Sequence, residues 1–315
     1  MRFTEIETFR ALMRSGSTRK AAALLHVTQP AVSQSLKRLE VQAGIALFSR
    51  TGGRLVPTPE AHALLSEVDR VFIGMDAIEH RLRSLRDFGV NQLNISCYPA
   101  FGLGFMPRAL ARMQVNGNGN GNGNGNGAIW PQVSLQVLSS KDVRDRVAAG
   151  LSDFGLMADE MSLDGIEHST FAHFPGVVVM PPGHALARFK SVKPTQLAEL
   201  PFLALNPEDA SRRRLETALA THGVSLRIAV QTPYAASVCE MALRGLGVGL
   251  VNPITALDYA ERGLIVRRLS VDVSFTCLLA LPTGKVLSGT AKQFLTCMRK
   301  QLADDEQQLK SYLQS

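Results

Sequence analysis

The sequence predicts an α+β multidomain chain with an N-terminal winged helix-turn-helix, a long linker helix and a C-terminal α/β region. Three observations lead there. Residues 17–40, STRKAAALLHVTQPAVSQSLKRLE, carry the 3.6-residue apolar period of two short helices joined by a three-residue turn. Residues 59–88 hold a longer apolar repeat that alternates four and three apart. From Gln92 onward, strand-length apolar runs alternate with helical ones. A chain of 315 residues holds more than one folding unit, with ample core for each.

Thr4-Glu5-Ile6-Glu7 reads as a capping box, with Thr4 as N-cap and Glu7 reaching back. Ile6, Phe9, Leu12 and Met13 form the buried stripe of a first helix, which Gly16 ends. Ser17 then caps a second helix, with Ala21, Ala22, Leu24 and Leu25 facing inward. His26 and Val27 make the turn. Thr28 caps a third helix, and Pro30 falls in its first turn, where a missing N–H does no harm. Val32, Leu36 and Leu39 recur at i, i+4 and i+7 and face inward. The opposite face carries Gln29, Ser33, Gln34, Lys37 and Arg38, all hydrogen-bond donors and none apolar. Such a helix suits the major groove of DNA, and a merely solvated polar face is the blander alternative. In residues 44–58, GIALFSRTGGRLVPT, Gly44 ends the helix and Leu47-Phe48 re-enters the core. Gly52-Gly53 between β-prone runs signals a hairpin, and Arg50 and Arg54 flank it within reach of phosphates or the minor groove.

The N-terminal block resembles the winged helix-turn-helix of LysR-type transcriptional regulators. The matching residues are Phe9, Ser17, Ala21-Ala22 and Thr28-Gln29-Pro30-Ala31-Val32-Ser33, continuing through Leu36, Leu39-Glu40, Gly44, Leu47-Phe48, Arg50 and Thr58. The resemblance implies that residues 1–58 bind double-stranded DNA, through Ser17, Thr28, Gln29, Pro30, Ser33, Gln34, Lys37, Arg38, Arg50 and Arg54. Charge agrees: of the net +7, residues 1–60 hold nine Lys/Arg against four Asp/Glu, as counterion release favours.

Residues 59–90 are expected to form the linker helix. Leu64, Val68, Val71, Met75, Ile78, Leu82 and Leu85 make an a/d seam that needs a partner helix, most simply its own copy in a second chain; packing on its own domain is the competing reading. The resemblance favours the homodimer, and a homotetramer beyond it. Thr58-Pro59-Glu60-Ala61 stands where most members read Thr, two residues and Gly; it is similar instead to the branch that controls octopine and nopaline catabolism.

Residues 91–300 supply strands at Leu93–Cys97, Val133–Leu138, Phe154–Met157 and Val177–Met180, with helices near Pro107–Met113 and through Val143, Val147 and Leu151, read as a mainly parallel sheet. The pattern resembles the family's effector-binding region, similar in fold to periplasmic solute-binding proteins: two α/β subdomains, about 91–162 plus 268–300 and 163–267. A polar tail, 301–315, follows. In this fold ligands meet strand ends and first helical turns, where free N–H groups and the helix dipole favour carboxylates. The resemblance therefore implies an effector pocket at Tyr98, Pro99, Ala100, Phe101, Ser139, Ser140, Asn206, Thr232, Tyr234 and Ser237, for a carboxylate or amino-acid derivative. Each of these polar residues serves equally well as a simple cap.

Residues 116–127, six Asn-Gly pairs, read as a flexible surface insertion. Gly245-Leu-Gly247-Val-Gly249 follows a helix and enters a strand, the reverse of a dinucleotide fingerprint, so it reads as a helix end and tight turn. His168 and His173 lack a ligand set at metal spacing. Cys97 and Cys239 could meet in the cleft as a redox switch, with buried free thiols as the default. No nucleophile–base–orienter set is visible, so no catalytic residue, metal or cofactor is expected. No apolar run approaches a membrane span and no signal peptide is read, which points to the cytoplasm. The sequence thus reads as an effector-controlled DNA-binding transcriptional regulator, with RNA polymerase as a further partner, the effector shifting the angle between DNA-binding dimers. A solute-binding protein, or an enzyme with an accessory DNA-binding domain, is the alternative.

Overall fold

The computed structural model describes residues 2–51, 54–65, 67–69, 71–72, 75, 78, 92–118 and 131–314. The chain separates into two compact units, Met1–Arg81 and Leu82–Ser315.

The first unit packs α1 (Phe3–Ser15), α2 (Thr18–Leu24) and α3 (Gln29–Ala43) against a hairpin of β1 (Phe48–Thr51) and β2 (Arg54–Pro57). A further helix, α4, is helical at every described position between 59 and 78. Phe9, Leu12, Val32, Leu39 and Leu47 are buried in one core, as the helical period requires. The expected capping box moves by two residues. Arg2 is the N-cap, and the buried carboxylate of Glu5 accepts from its backbone N–H at 2.8 Å, leaving Thr4 inside the first turn. Leu24, expected inside, is exposed, because α2 stops there and only Ala21 and Ala22 face the core.

The start of α4 is clamped to α1. Asp69 accepts from Arg10 Nε at 2.8 Å and from Arg14 at 3.0 Å, and the Arg10 guanidinium lies 4.2 Å from the Phe72 ring centre. Val68 and Phe72 are buried on their own unit, whereas Val71, Met75 and Ile78 remain 54%, 41% and 62% exposed. Leu82 and Leu85 of the expected seam lie outside the described residues.

The second unit holds two sheets. The first contains β3 (Gln92–Cys97), β4 (Gln132–Val137), β5 (Phe154–Ala158), β6 (Ile166–Pro175) and β13 (Ser274–Pro282), in the order β4-β3-β5-β13-β6. The other contains β7 (Val177–Met180), β8 (Ser191–Val192), β9 (Pro201–Leu205), β10 (Arg227–Thr232), β11 (Val248–Val251) and β12 (Ile265–Leu269), in the order β10-β9-β11-β7-β12-β8. Helices α5 (Pro99–Gly102), α6 (Phe105–Asn118) and α7 (Ser140–Ala148) follow strands of the first sheet; α8 (Ala210–Ala220), α9 (Ala235–Leu243) and α10 (Pro253–Ala260) follow strands of the second.

Several boundaries need correction. Both sheets are mixed rather than a single mainly parallel one: β3 runs parallel to β4 and β5, β9 to β10 and β11, and β8 to β12, but β13 is antiparallel to β5 and β6, and β7 to β11 and β12. The chain passes between the sheets through β6 to β7 and β12 to β13, and β7 and β13 run back against β11 and β5. Because β6 pairs with β13, the first subdomain's strands continue to Pro175 rather than stopping near 162. The expected tail is instead the end of α11 (Gly289–Gln314), whose Leu302 and Leu309 are buried. Helix α6 runs on through the first Asn-Gly pair, to Asn118, and residues 119–130 lie outside the described ones.

Where the chain passes between sheets, Gly176 donates its amide to the Val273 carbonyl at 2.7 Å. A Cβ there would meet the Phe275 ring at 2.7 Å and the Val273 carbonyl oxygen at 3.1 Å, so a larger residue would push the crossings apart. Arg108 of α6 binds Asp258 of α10 and, at 2.7 Å, Asp305 of α11. Asp305 is only 1% exposed and also accepts from Gln301 at 2.7 Å. Replacing Arg108 by Met strands that carboxylate in the interior, and urea unfolding should show the second unit destabilised by about 3 kcal/mol. Arg108→Met combined with Asp305→Leu should recover most of the loss; an additive double mutant would refute the coupling.

Candidate nucleic-acid interface and effector cavity

The helix-turn-helix is set by its caps. Ser17 accepts from the Lys20 amide at 3.2 Å, and Thr28 from that of Ala31 at 3.4 Å. His26 takes φ 53° between the two helices, a left-handed step that lets α3 leave α2 at an angle. Gln29 Nε2 donates to the Thr18 hydroxyl at 3.2 Å and ties the two helix starts together. Val32, Leu36 and Leu39 are buried, while Gln29, Pro30, Ser33, Gln34, Lys37 and Arg38 are exposed. The one-sided polar surface expected of α3 is therefore present, with Ser17 and Thr28 engaged as caps. Arg50 and Arg54 lie in β1 and β2, on the paired backbone next to the turn, but their side chains and the Gly52-Gly53 turn lie outside the described residues. Sequence reasoning matched Glu40 to the family pattern without giving it a role; its Oε1 accepts from the amides of Leu47 at 2.8 Å and Phe48 at 3.1 Å. It anchors the hairpin to the end of α3.

In the second unit a cavity of about 710 Å³ opens where strands end and helices begin. Of the residues expected to form the pocket, Tyr98, Pro99, Ser139, Ser140, Asn206 and Tyr234 line it. Ala100 lines a smaller adjoining space that shares Tyr98 and Pro99. Three expected residues do not. Phe101 is fully buried, its ring packed edge-on against Phe105 and Phe171 in the core. Thr232 turns its hydroxyl to the Tyr234 amide at 3.3 Å and stands outside the lining. Ser237 lies two residues beyond Ala235, about 200° around the helix from that lining residue, and is also outside it.

Sequence reasoning passed over Glu160 and Asp209, which line both spaces, and Asp159 and Arg214, which line the smaller one. Arg214 donates to Asp159 at 2.8 Å and to the Ser274 carbonyl at 3.0 Å, and Glu160 accepts from the Ala210 amide at 2.9 Å. Desolvation, with Asp209 and Asp159 nearby, raises the Glu160 carboxyl above its usual range, against the pull of the Ala210 N–H and Arg213. Asp159-Glu160 directly follows β5, so the strand-end rule that selected the other loops applies equally there.

The cysteines follow their default. Cys97 sits in the core of the first sheet and Cys239 in a core of the second, so the two do not share the cleft. Burial raises the thiols of Cys97, Cys239 and Cys277 well above the ordinary range and keeps them protonated. His173 Nδ1 shares a hydrogen bond with Thr276 at 3.0 Å, and no metal-binding group occurs among the described residues. Gly245 and Gly247 lie in the turn between α9 and β11, as the order of elements required.

Comparison with known proteins gives a coherent picture. A family model described as "Bacterial regulatory helix-turn-helix protein, lysR family" matches residues 3–62, and "LysR substrate binding domain" matches 124–303. The chain is 37% identical to the "Transcriptional activator protein LysR" of Escherichia coli strain K12, over 92% of this chain and 89% of that one. It is 32% identical to the "Regulatory protein NocR" of Agrobacterium fabrum, with 89% of each chain covered. With the "Octopine catabolism/uptake operon regulatory protein OccR" of Rhizobium meliloti it shares 28% identity over 83% of each chain. Full-length CbnR complexed with its target DNA has the same fold, with TM-score 0.60 and 18% identity over 96% of this chain and all (100%) of that one.

The anchoring of the hairpin is directly testable. Glu40→Ala leaves the amides of Leu47 and Phe48 without their acceptor, and chemical denaturation should show a loss of about 1–3 kcal/mol in the first unit. Glu40→Gln keeps an acceptor oxygen and should lose less. Equal stability of Glu40→Ala and the parent would remove the carboxylate from this role.

Proposed function

The chain belongs to the lysR family of bacterial regulatory helix-turn-helix proteins, and on that premise we propose which of its residues read DNA and which hold the effector. It is a LysR-type transcriptional regulator with a substrate-binding domain, and its relatives include NocR and OccR. Its reported relatives are regulators, which leaves the solute-binding and enzyme alternatives without support. Among the described residues no helix is long and apolar enough to cross a membrane.

The exposed donor face of α3, opposite buried Val32, Leu36 and Leu39, carries the reading. Gln29, Ser33 and Gln34 lie toward its N-terminal half and read base edges, while Lys37 and Arg38 bind phosphates without sequence choice. Arg50 and Arg54 add the wing. The effector occupies the cavity bounded by Tyr98, Pro99, Ser139, Ser140, Asn206 and Tyr234. Exposed Val71, Met75 and Ile78 form the dimer seam of α4, since leaving that apolar stripe in water is unfavourable.

Gln34 can pair bidentately with adenine N6/N7. Gln34→Ala should therefore cost about 1–3 kcal/mol at one base position per half-site, measured by binding to a panel of singly substituted operators. Uniform weakening on every sequence would refute base reading. Lys37→Ala and Arg38→Ala should each lower the slope of log affinity against log salt by about one. An unchanged slope would remove that residue from the phosphate contacts.

Met75→Glu places an unpaired charge in the proposed seam, at a cost of several kcal/mol to the dimer. Sedimentation should show dissociation while circular dichroism shows both units still folded. A Met75→Glu protein that sediments as the parent would sink the seam.

A further inference from the structure

The DNA-binding unit distributes its cations unevenly. Residues 8–39 hold six Lys/Arg and no Asp/Glu. Asp69 neutralises two of the six, accepting from Arg10 and Arg14. Lys37 and Arg38 belong to the outward face of α3. The remaining pair, Arg19 and Lys20, lies in the first turn of α2, and both residues are exposed. Neither side chain makes a hydrogen bond or ion pair among the described residues.

Stability gives no reason for that placement. A cation in the first turn opposes the positive end of the helix dipole, and α2 has no acidic residue there to offset it. Ala21 and Ala22 are the buried positions of α2, so Arg19 and Lys20 cover no core either. Position supplies a reason. Gln29 Nε2 donates to the Thr18 hydroxyl at 3.2 Å, which holds the first turn of α2 beside the first turn of α3. From Gln29 to Lys37 the rise along α3 is about 12 Å, close to the width of the major groove. The two unpaired cation pairs are thus separated by about the distance between the phosphate rows that wall the groove.

We propose that Arg19 and Lys20 contact DNA phosphates, as a second cationic wall across the reading face from Lys37 and Arg38. The proposal rests on α3 being the DNA-reading helix and goes further by adding α2 to the interface. Ser17 already accepts from the Lys20 amide, so the contact is made by the two side chains and not by the backbone of the helix start. A phosphate row supplies the negative charge that residues 8–39 lack, and counterion release makes the contact favourable without sequence choice.

Binding of the full-length chain to a duplex of mixed sequence, followed through a salt series, tests this. Arg19→Ala and Lys20→Ala should each lower the slope of log affinity against log salt by about 0.9, and the double variant by about twice that. Arg19→Lys and Lys20→Arg keep the charge and should keep the slope. Lys193→Ala removes an exposed cation from the second unit and should leave the slope unchanged, which separates a contact from an effect of net charge. Arg19→Glu separates function from folding. It should weaken DNA binding while the unfolding midpoint of the first unit stays at or above the parent's, because an acid suits a helix start. Unchanged slopes in both alanine variants, with Lys37→Ala and Arg38→Ala lowering theirs, overturn the role of α2 and leave α3 standing. Unchanged slopes in all four overturn the α3 reading as well. A slope lowered equally by Lys193→Ala, or an unfolding midpoint lowered by Arg19→Glu, also overturns the proposal.

Discussion

The effector region depends on the chain crossing twice between its two sheets, at Pro175–Val177 and between Leu269 and Ser274. Gly176 and Val273 are hydrogen-bonded there, so the crossings lie side by side. Strands β6, β7, β12 and β13 are consequently committed to the crossings; β7 runs antiparallel to β11 and β13 to β5, while β6 and β12 are antiparallel to β13 and β7. The remaining strands keep the parallel arrangement that sends loops and helix starts to one end of each sheet. The cavity forms at those ends, because the backbone groups not used by ladder or helix gather there.

Beyond the crossings, the two sheets are also tied by side chains. Arg214 of α8 reaches Asp159 after β5, Glu160 takes the Ala210 amide, and Thr255 donates to the Ala100 carbonyl at 3.1 Å. Arg108 joins α6 to α10 and α11. The first two ties lie in the wall of the smaller space beside the cavity. A ligand that drew Glu160 or Asp159 toward its own charge would therefore act on the contacts that set the separation of the two halves.

In the DNA-binding unit a single division of surfaces does the comparable work. One face of α3 is spent on the core with α1, α2 and the hairpin, and the polar face is left outward. Glu40 joins the helix end to the first strand of the hairpin through two backbone amides, which ties the wing to α3. Asp69, Arg10 and Arg14 likewise fasten the first part of α4 to α1, which leaves its later apolar residues projecting as a stripe.

The helix-turn-helix was legible in the chain because local rules decide it: Ser17 and Thr28 are caps, Val32, Leu36 and Leu39 repeat at helical spacing, and Gly44 stops the helix. Strand-end loops were legible for the same reason, and they located Tyr98, Ser139, Asn206 and Tyr234. What lay beyond reach was everything set by the partner of an element rather than its own pattern. The sequence reading did not mark β6, and only its pairing with β13 assigns those residues to the first sheet. The polar C-terminal residues look like a tail until Asp305 meets Arg108 and Leu302 and Leu309 find a surface to cover. Phe101, Thr232 and Ser237 carry the right side chains at the right strand ends, yet the rotation of each backbone turns them to the core, to Tyr234 or away from the opening. Asp159, Glu160, Asp209 and Arg214 are distant in sequence and become one charged wall only when β5 and α8 face each other. Sequence determined the elements and their polar faces, since those depend on neighbours along the chain. Tertiary structure decided which of those faces meet, because pairing, helix rotation and ion-pair geometry depend on neighbours in space.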